Sequence, residues 1–128
     1  TAAFNKIMDA FGLPKGSDEE KADRSQAIQD ATKYAIEVPM LVMETALASM
    51  EVMEQMVDTG LQSSLSDGAV GALCARTAVM GAFLNVKINT GDLKDEAFKS
   101  EMLSKGAAIE KEALALEARI LEKVNNKL

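Results

Sequence analysis

Between Leu65 and Lys94 the chain reads LSDGAVGALCARTAVMGAFLNVKINTGDLK, and Gly71, Ala75, Ala78 and Ala82 follow the three-and-four spacing that lines up one face of a helix. So little side chain along one face means that something lies very close to it, either a neighbouring helix or the flat ring of a ligand. Asn85 and Asn89 stand one turn apart on the same side, where their amides could hydrogen-bond to either. The lone Cys74 falls in this helix, and the ordinary expectation for an unpaired cysteine there is a buried thiol acting as a small hydrophobe.

The rest of the apolar content points the same way. The chain has four Phe, one Tyr, no Trp and two Pro among 128 residues, and its apolar mass is Ala, Leu, Val and Met. That composition favours closely packed helices over a sheet of aromatic and β-branched residues. The length suits one domain with a single core. We therefore expect an all-α, antiparallel helical bundle with long helices, forming a single domain over residues 1–128.

Phe4, Ile7, Met8 and Phe11 mark a first helix over Ala2 to Phe11, stopped by Gly12 and Pro14. Ser17 stands three before Glu20, a capping-box pattern that opens a second helix with inner positions Ala27, Ile28, Ala31, Tyr34, Ala35 and Val38. Pro39 is expected to interrupt it by a kink or short break, because proline removes one backbone bond and crowds the preceding turn. The helical pattern resumes to Gly60, a good stop. Ser66 and Asp67 are both suited to cap the next helix, which runs to about Asn89. Asp92 is expected to start another short element. The last helix runs from about Asp95 to the C-terminus, with Phe98, Met102, Ile109, Leu116, Ile120 and Val124 inward. The Met residues between positions 40 and 56 fit adaptable core filler.

Several function classes are disfavoured. A net charge of −6 with acids spread along the chain speaks against nucleic acid as a partner. The chain has no histidine, which removes the commonest metal ligand and the usual neutral-pH proton shuttle, so no metal site is expected. No membrane span or leader is apparent, and one free cysteine suits a reducing cytoplasm. The chain starts at Thr1 with a helical pattern already under way, and reads as a piece with further residues upstream.

Acid–base chemistry would then fall to a carboxylate, an amine or a bound water. Asp67 is the best candidate, beside Gly68 at a helix start, with simple capping as its ordinary alternative. Lys15, held between Pro14 and Gly16, and Arg24 could grip carboxylates, or be ordinary surface cations. Asn85 is a poor helix former on an Ala/Gly face, costly unless its amide finds partners in the bundle or a ligand. Asn89 has the further alternative of a C-terminal cap.

The order of these signals is informative. Leu13-Pro14-Lys15, Arg24 with Ala27-Ile28-Gln29, Val38-Pro39, Ser66-Asp67, Gly81-Ala82 and Asn85-Val86-Lys87-Ile88-Asn89 together resemble the cyclodeaminase domain of the formiminotransferase-cyclodeaminase family, including its stand-alone methenyltetrahydrofolate cyclohydrolases. The resemblance covers essentially the whole chain. It implies an all-helical, homodimeric, cytoplasmic enzyme of one-carbon folate metabolism that uses no metal or cofactor beyond its tetrahydrofolate substrate. In the deaminase reaction a folate nitrogen attacks the formimino carbon and ammonia leaves. In the cyclohydrolase reaction water opens the methenyl bridge to a formyl group. The resemblance gives no choice between the two. It fits Asp67 as the catalytic acid–base group and Lys15, Arg24, Asn85 and Asn89 as contacts to a folate, polyglutamylated or not. Family members also carry N-terminal helices, and an acidic residue just before the segment matching Thr1 to Phe4, that this sequence lacks. The competing expectation is a catalytically inactive helical dimerisation module, a truncated relative.

Overall fold

A computed structural model describes all of residues 1–128. It holds four α-helices, α1 (Ala2–Phe11), α2 (Asp18–Thr59), α3 (Leu65–Thr90) and α4 (Glu96–Lys127), with a single 3-10 turn at Gln62–Ser64. The all-helical class follows the sequence. α2 and α4 run side by side in the same direction, α3 packs antiparallel against both, and α1 folds back along the start of α2.

Local chemistry sets the helix ends. The Ser17 hydroxyl accepts the Glu20 N–H at 3.1 Å, and the Glu20 carboxylate accepts the Ser17 N–H at 3.1 Å and the Gly16 N–H at 2.7 Å, a complete capping box. Gly60 stops α2, its N–H bonding the Met56 carbonyl at 2.7 Å. A Cβ there would collide with that same carbonyl, so glycine is required at this turn. Asp95 caps α4 by accepting the Phe98 N–H at 3.0 Å. No helix starts at Asp92. Residues Asp92 to Lys94 are instead a connector fastened to α2, where Gln29 donates to the Asp92 carbonyl and accepts the Lys94 N–H.

Pro39 does not break the helix. α2 continues through it for 42 residues, about 63 Å at ~1.5 Å per residue. The physical reason lies in α3. Proline has no N–H for the carbonyl four residues back, that of Ala35. The Asn89 side chain donates to this carbonyl from the neighbouring helix at 3.2 Å. Tertiary structure thus supplies the bond that proline withholds.

The core lies between α2, α3 and α4, with Ile36, Met43, Met50, Val79, Val86 and Ile120 fully buried. The inward positions expected for α4 are buried from Met102 to Val124, with Phe98 half-buried. In α1, by contrast, Phe4, Met8 and Phe11 are more than half exposed and only Ala10 is buried. The periodic stripe therefore marks a face that the chain itself leaves largely uncovered.

α4 is joined to its neighbours by ion pairs. Glu44 pairs with Lys105, Glu54 takes Arg119 at 2.6 and 2.8 Å and Lys123 at 2.9 Å, Asp58 takes Lys123 at 2.7 Å, and Arg76 of α3 pairs with Glu117. The Arg119 guanidinium, helped by Lys123, holds the Glu54 carboxyl at about 2, below its ordinary 4.5. A depressed carboxyl contributes stability that is complete above its unfolded pKa and is lost as pH falls toward its folded one. The difference in denaturation midpoint between wild type and Glu54→Gln should therefore be largest near pH 7 and shrink steadily from about pH 4.5 downwards. A gap unchanged at pH 3 would contradict this pairing.

Candidate functional site

Three helices leave a cavity of about 510 Å3 where α1 crosses the α2–α3 pair. Its walls are Thr1, Ala3, Phe4 and Ile7 of α1, Ala35, Val38, Pro39 and Val42 of α2, and Ala78, Ala82, Asn85 and Asn89 of α3. The small side chains make the space. Ala35, Ala78 and Ala82 stand where larger residues would close the α2–α3 seam. The volume lies within the ~300–1,000 Å3 typical of small-molecule sites, and a mainly apolar wall with a few fixed polar groups is their usual character.

Those polar groups are two amides and one hydroxyl. Asn85 donates one N–H to the Gly81 carbonyl of its own helix at 3.1 Å, and Asn89 donates one to Ala35. Each amide keeps a second N–H and its oxygen for other partners. The Thr1 hydroxyl accepts from the Phe4 N–H at 3.5 Å. No ionisable side chain lines the cavity. What it can do unaided is hold a flat, largely apolar ring and read its edge with amides. It cannot by itself move protons.

With this geometry in view, comparison with known proteins is decisive. The family model for formiminotransferase-cyclodeaminase matches residues 1–108. The chain belongs to this family. Its relatives include a methenyltetrahydrofolate cyclohydrolase from Methylorubrum extorquens, 38% identical over 98% of this chain and 61% of that protein. A formimidoyltransferase-cyclodeaminase from Sus scrofa is 31% identical over 95% of this chain and 23% of its own length. The crystal structure of formiminotetrahydrofolate cyclodeaminase from Thermotoga maritima superposes with a TM-score of 0.81 at 26% identity, covering 98% of this chain and 58% of that one. The chain thus spans about three fifths of the stand-alone relatives and under a quarter of the porcine one.

Within this family member, the residues singled out in the sequence fall into three places. Asn85 and Asn89 share the cavity. Lys15 and Arg24 lie at the end of the bundle where α1 turns into α2. Arg24 is engaged there, donating through Nε to the Phe11 carbonyl at 3.2 Å with its guanidinium 5.4 Å from the Phe11 ring centre, while Lys15 is exposed in the turn. Asp67 is at the opposite end. It does not cap α3, because the 3-10 turn moves the helix start to Leu65 and makes Ser64 the boundary residue, without a side-chain cap. Asp67 is exposed in the first turn, roughly 27 Å along α3 from Asn85 at ~1.5 Å per residue.

Two features of the site were not drawn from the sequence. The pairing of Asn89 with Ala35 is one, although a proline inside a helix always leaves a carbonyl four residues back to satisfy. The other is the α1 wall, because periodicity shows that a helix has an apolar face but not what that face meets. Cys74, expected to be buried, is exposed beside Ala78.

Proposed function

We propose that this chain forms the ring-binding part of a one-carbon folate enzyme, a formiminotetrahydrofolate cyclodeaminase or methenyltetrahydrofolate cyclohydrolase, working in the cytoplasm. The observation that carries this reading is the cavity itself, mainly apolar and edged by Asn85 and Asn89, in a member of a family whose relatives are named for these folates. A pteridine ring stacks against the Ala78 and Ala82 face, and the free amide groups of Asn85 and Asn89 meet its polar edge. Lys15 and Arg24, at the bundle end beyond Ala35, take the glutamate tail, Arg24 as a fork and Lys15 as a point charge.

Both reactions pass through a tetrahedral carbon and need a positioned proton carrier. We assign that role to Asp67, the carboxylate that the resemblance singles out, brought to the cavity from outside its walls. In the deaminase direction the acid protonates the leaving nitrogen of the tetrahedral carbon as ammonia. In the cyclohydrolase direction it takes a proton from the attacking water and returns one to the departing ring nitrogen.

The test is a parallel spectrophotometric assay with methenyltetrahydrofolate and formiminotetrahydrofolate. Loss of methenyl absorbance above the buffer rate marks hydrolysis, and its appearance from the formimino compound marks deamination. Asn85→Ala should weaken binding of a reduced folate about tenfold, the worth of one hydrogen bond of ~1.4 kcal/mol. A folded chain that neither turns over nor binds either folate would support the reading as an inactive dimerisation module.

A further inference from the structure

We propose that Asn85 and Asn89 present their side-chain oxygens, rather than their N–H groups, to the ring, so that the cavity selects a heterocycle edge carrying an exocyclic amino group and rejects a carbonyl in its place. This specificity deepens the ring-binding reading above and rests on it.

What lies behind each amide sets its orientation. Asn89 donates through Nδ2 to the Ala35 carbonyl at 3.2 Å, the carbonyl that Pro39 leaves without its helical N–H. Turned over, this amide would set oxygen against oxygen and leave the carbonyl unpaired. Asn85 is anchored in the same sense, through Nδ2 to the Gly81 carbonyl at 3.1 Å. Both nitrogens are thus drawn back onto backbone, one across the α2–α3 seam and one along its own helix. The oxygens are left over. Asn89 is half-buried and its oxygen takes no hydrogen bond from the chain, yet no sealed side-chain oxygen or nitrogen lacks a partner, so this oxygen is open to the cavity that Asn89 lines. The α3 wall is otherwise Ala78 and Ala82, against which a flat ring can lie with its edge at the two amides.

Their spacing suits one kind of edge. Residues one turn apart on a helix carry Cβ atoms ~5–6 Å apart. Two oxygens that each accept one N–H of the same planar amino group, at ~2.9 Å and about 120° from one another, stand about 5 Å apart. An amino group between Asn85 and Asn89 therefore places both of its hydrogens, whereas a ring carbonyl there meets two further acceptors. The two amides are not equal in this. Asn85 can turn over at little cost, because the Gly81 carbonyl also receives the backbone N–H four residues on. Asn89 cannot, so Asn89 sets the specificity and Asn85 adds affinity.

The experiment is isothermal titration calorimetry of the full chain with 5-formyltetrahydrofolate and with its analogue bearing a carbonyl oxygen in place of the 2-amino group. The amino compound should bind about a hundredfold tighter, tenfold for each oxygen left without a hydrogen. Pro39→Ala should cut this ratio to about tenfold, since the Ala35 carbonyl then regains a backbone N–H and Asn89 is free to turn over. A merely structural role for Asn89 would leave the ratio where it was and overturn the assignment. Asn85→Asp keeps acceptor oxygens and loses the N–H, and should tighten the amino compound several-fold. Tenfold weaker binding by this variant would show that the N–H faces the ring. Equal affinity of the wild type for both compounds, or preference for the carbonyl compound, would overturn the specificity and leave ring binding standing. A helical chain that binds neither compound would remove ring binding and the specificity with it.

Discussion

Asn89→Leu is expected to lower stability by about 2 kcal/mol, more than its partly buried position alone would suggest, because it strands a carbonyl that no backbone N–H can reach. The cost should depend on Pro39. Pro39→Ala restores an N–H four residues after Ala35, so the carbonyl regains an ordinary helical partner. In that background Asn89→Leu should cost less than half as much, and the two substitutions should show a coupling of ~1 kcal/mol in a double-mutant cycle. Urea denaturation of the four proteins measures it. Additive effects would mean that Asn89 does not compensate for the proline. The bond also places the amide. With Nδ2 held by Ala35, the Asn89 oxygen is presented at a fixed point of the cavity wall, so a loss of this bond disturbs both α2 and the site.

Gly106→Val is the second large effect. Here α4 comes so close to α3 that a Cβ at Gly106 would overlap the edge of the Phe83 ring, 2.6 Å from its Cδ2. Phe83 is buried and carries the Lys87 ammonium 3.8 Å from its ring centre, so the ring cannot simply turn out into solvent. Overpacking of this kind costs ~1–3 kcal/mol, and the second methyl group of valine takes the expected loss to about 3. Thermal unfolding should fall by more than 10 °C at the ~4 °C per kcal/mol of a domain this size. A shift of only a degree or two would show that the helices part easily, and that the α3–α4 contact is not tightly packed.

These two sites also show what could be seen in the sequence. The helices were legible because their ends are local chemistry. Ser17 with Glu20, Gly60, and Asp95 with Phe98 each write a boundary within four residues, and the structure honours them. The inward face of α4 was legible because its repeat survives over seven turns. What depends on a partner far along the chain was not. Pro39 looks like a break until Asn89 is beside it. The stripe of α1 looks like a core face, yet Phe4, Met8 and Phe11 remain exposed. Cys74 looks like a buried thiol because apolar neighbours suggest burial, yet while Ala72 and Ala75 turn into the core, Cys74 falls with Val70 on the open face of α3.

The same distinction governs the candidate site. Asn85 and Asn89 stood out as amides on a face of small residues, and the fold gathers them into one cavity. Asp67 stood out by its position at a helix start. One helix carries all three, but a rigid rod cannot bring Asp67 and Asn85 together within one chain. Lys15 and Arg24 were adjacent in the sequence pattern and remain at one end of the bundle, where Arg24 is already tied to Phe11.

The most direct test of the central claim, that the α1–α2–α3 cavity holds the folate ring, is a titration of isotope-labelled chain with 5-formyltetrahydrofolate followed by NMR. The side-chain amide signals of Asn85 and Asn89 should shift together and saturate, with the backbone signals of Ala35, Val42, Ala78 and Ala82, and Asn85→Ala should weaken the response about tenfold. Shifts confined to the shallow groove that α1 and α2 form around Lys6, Asp30 and Tyr34, with the two asparagine amides unmoved, would contradict the account.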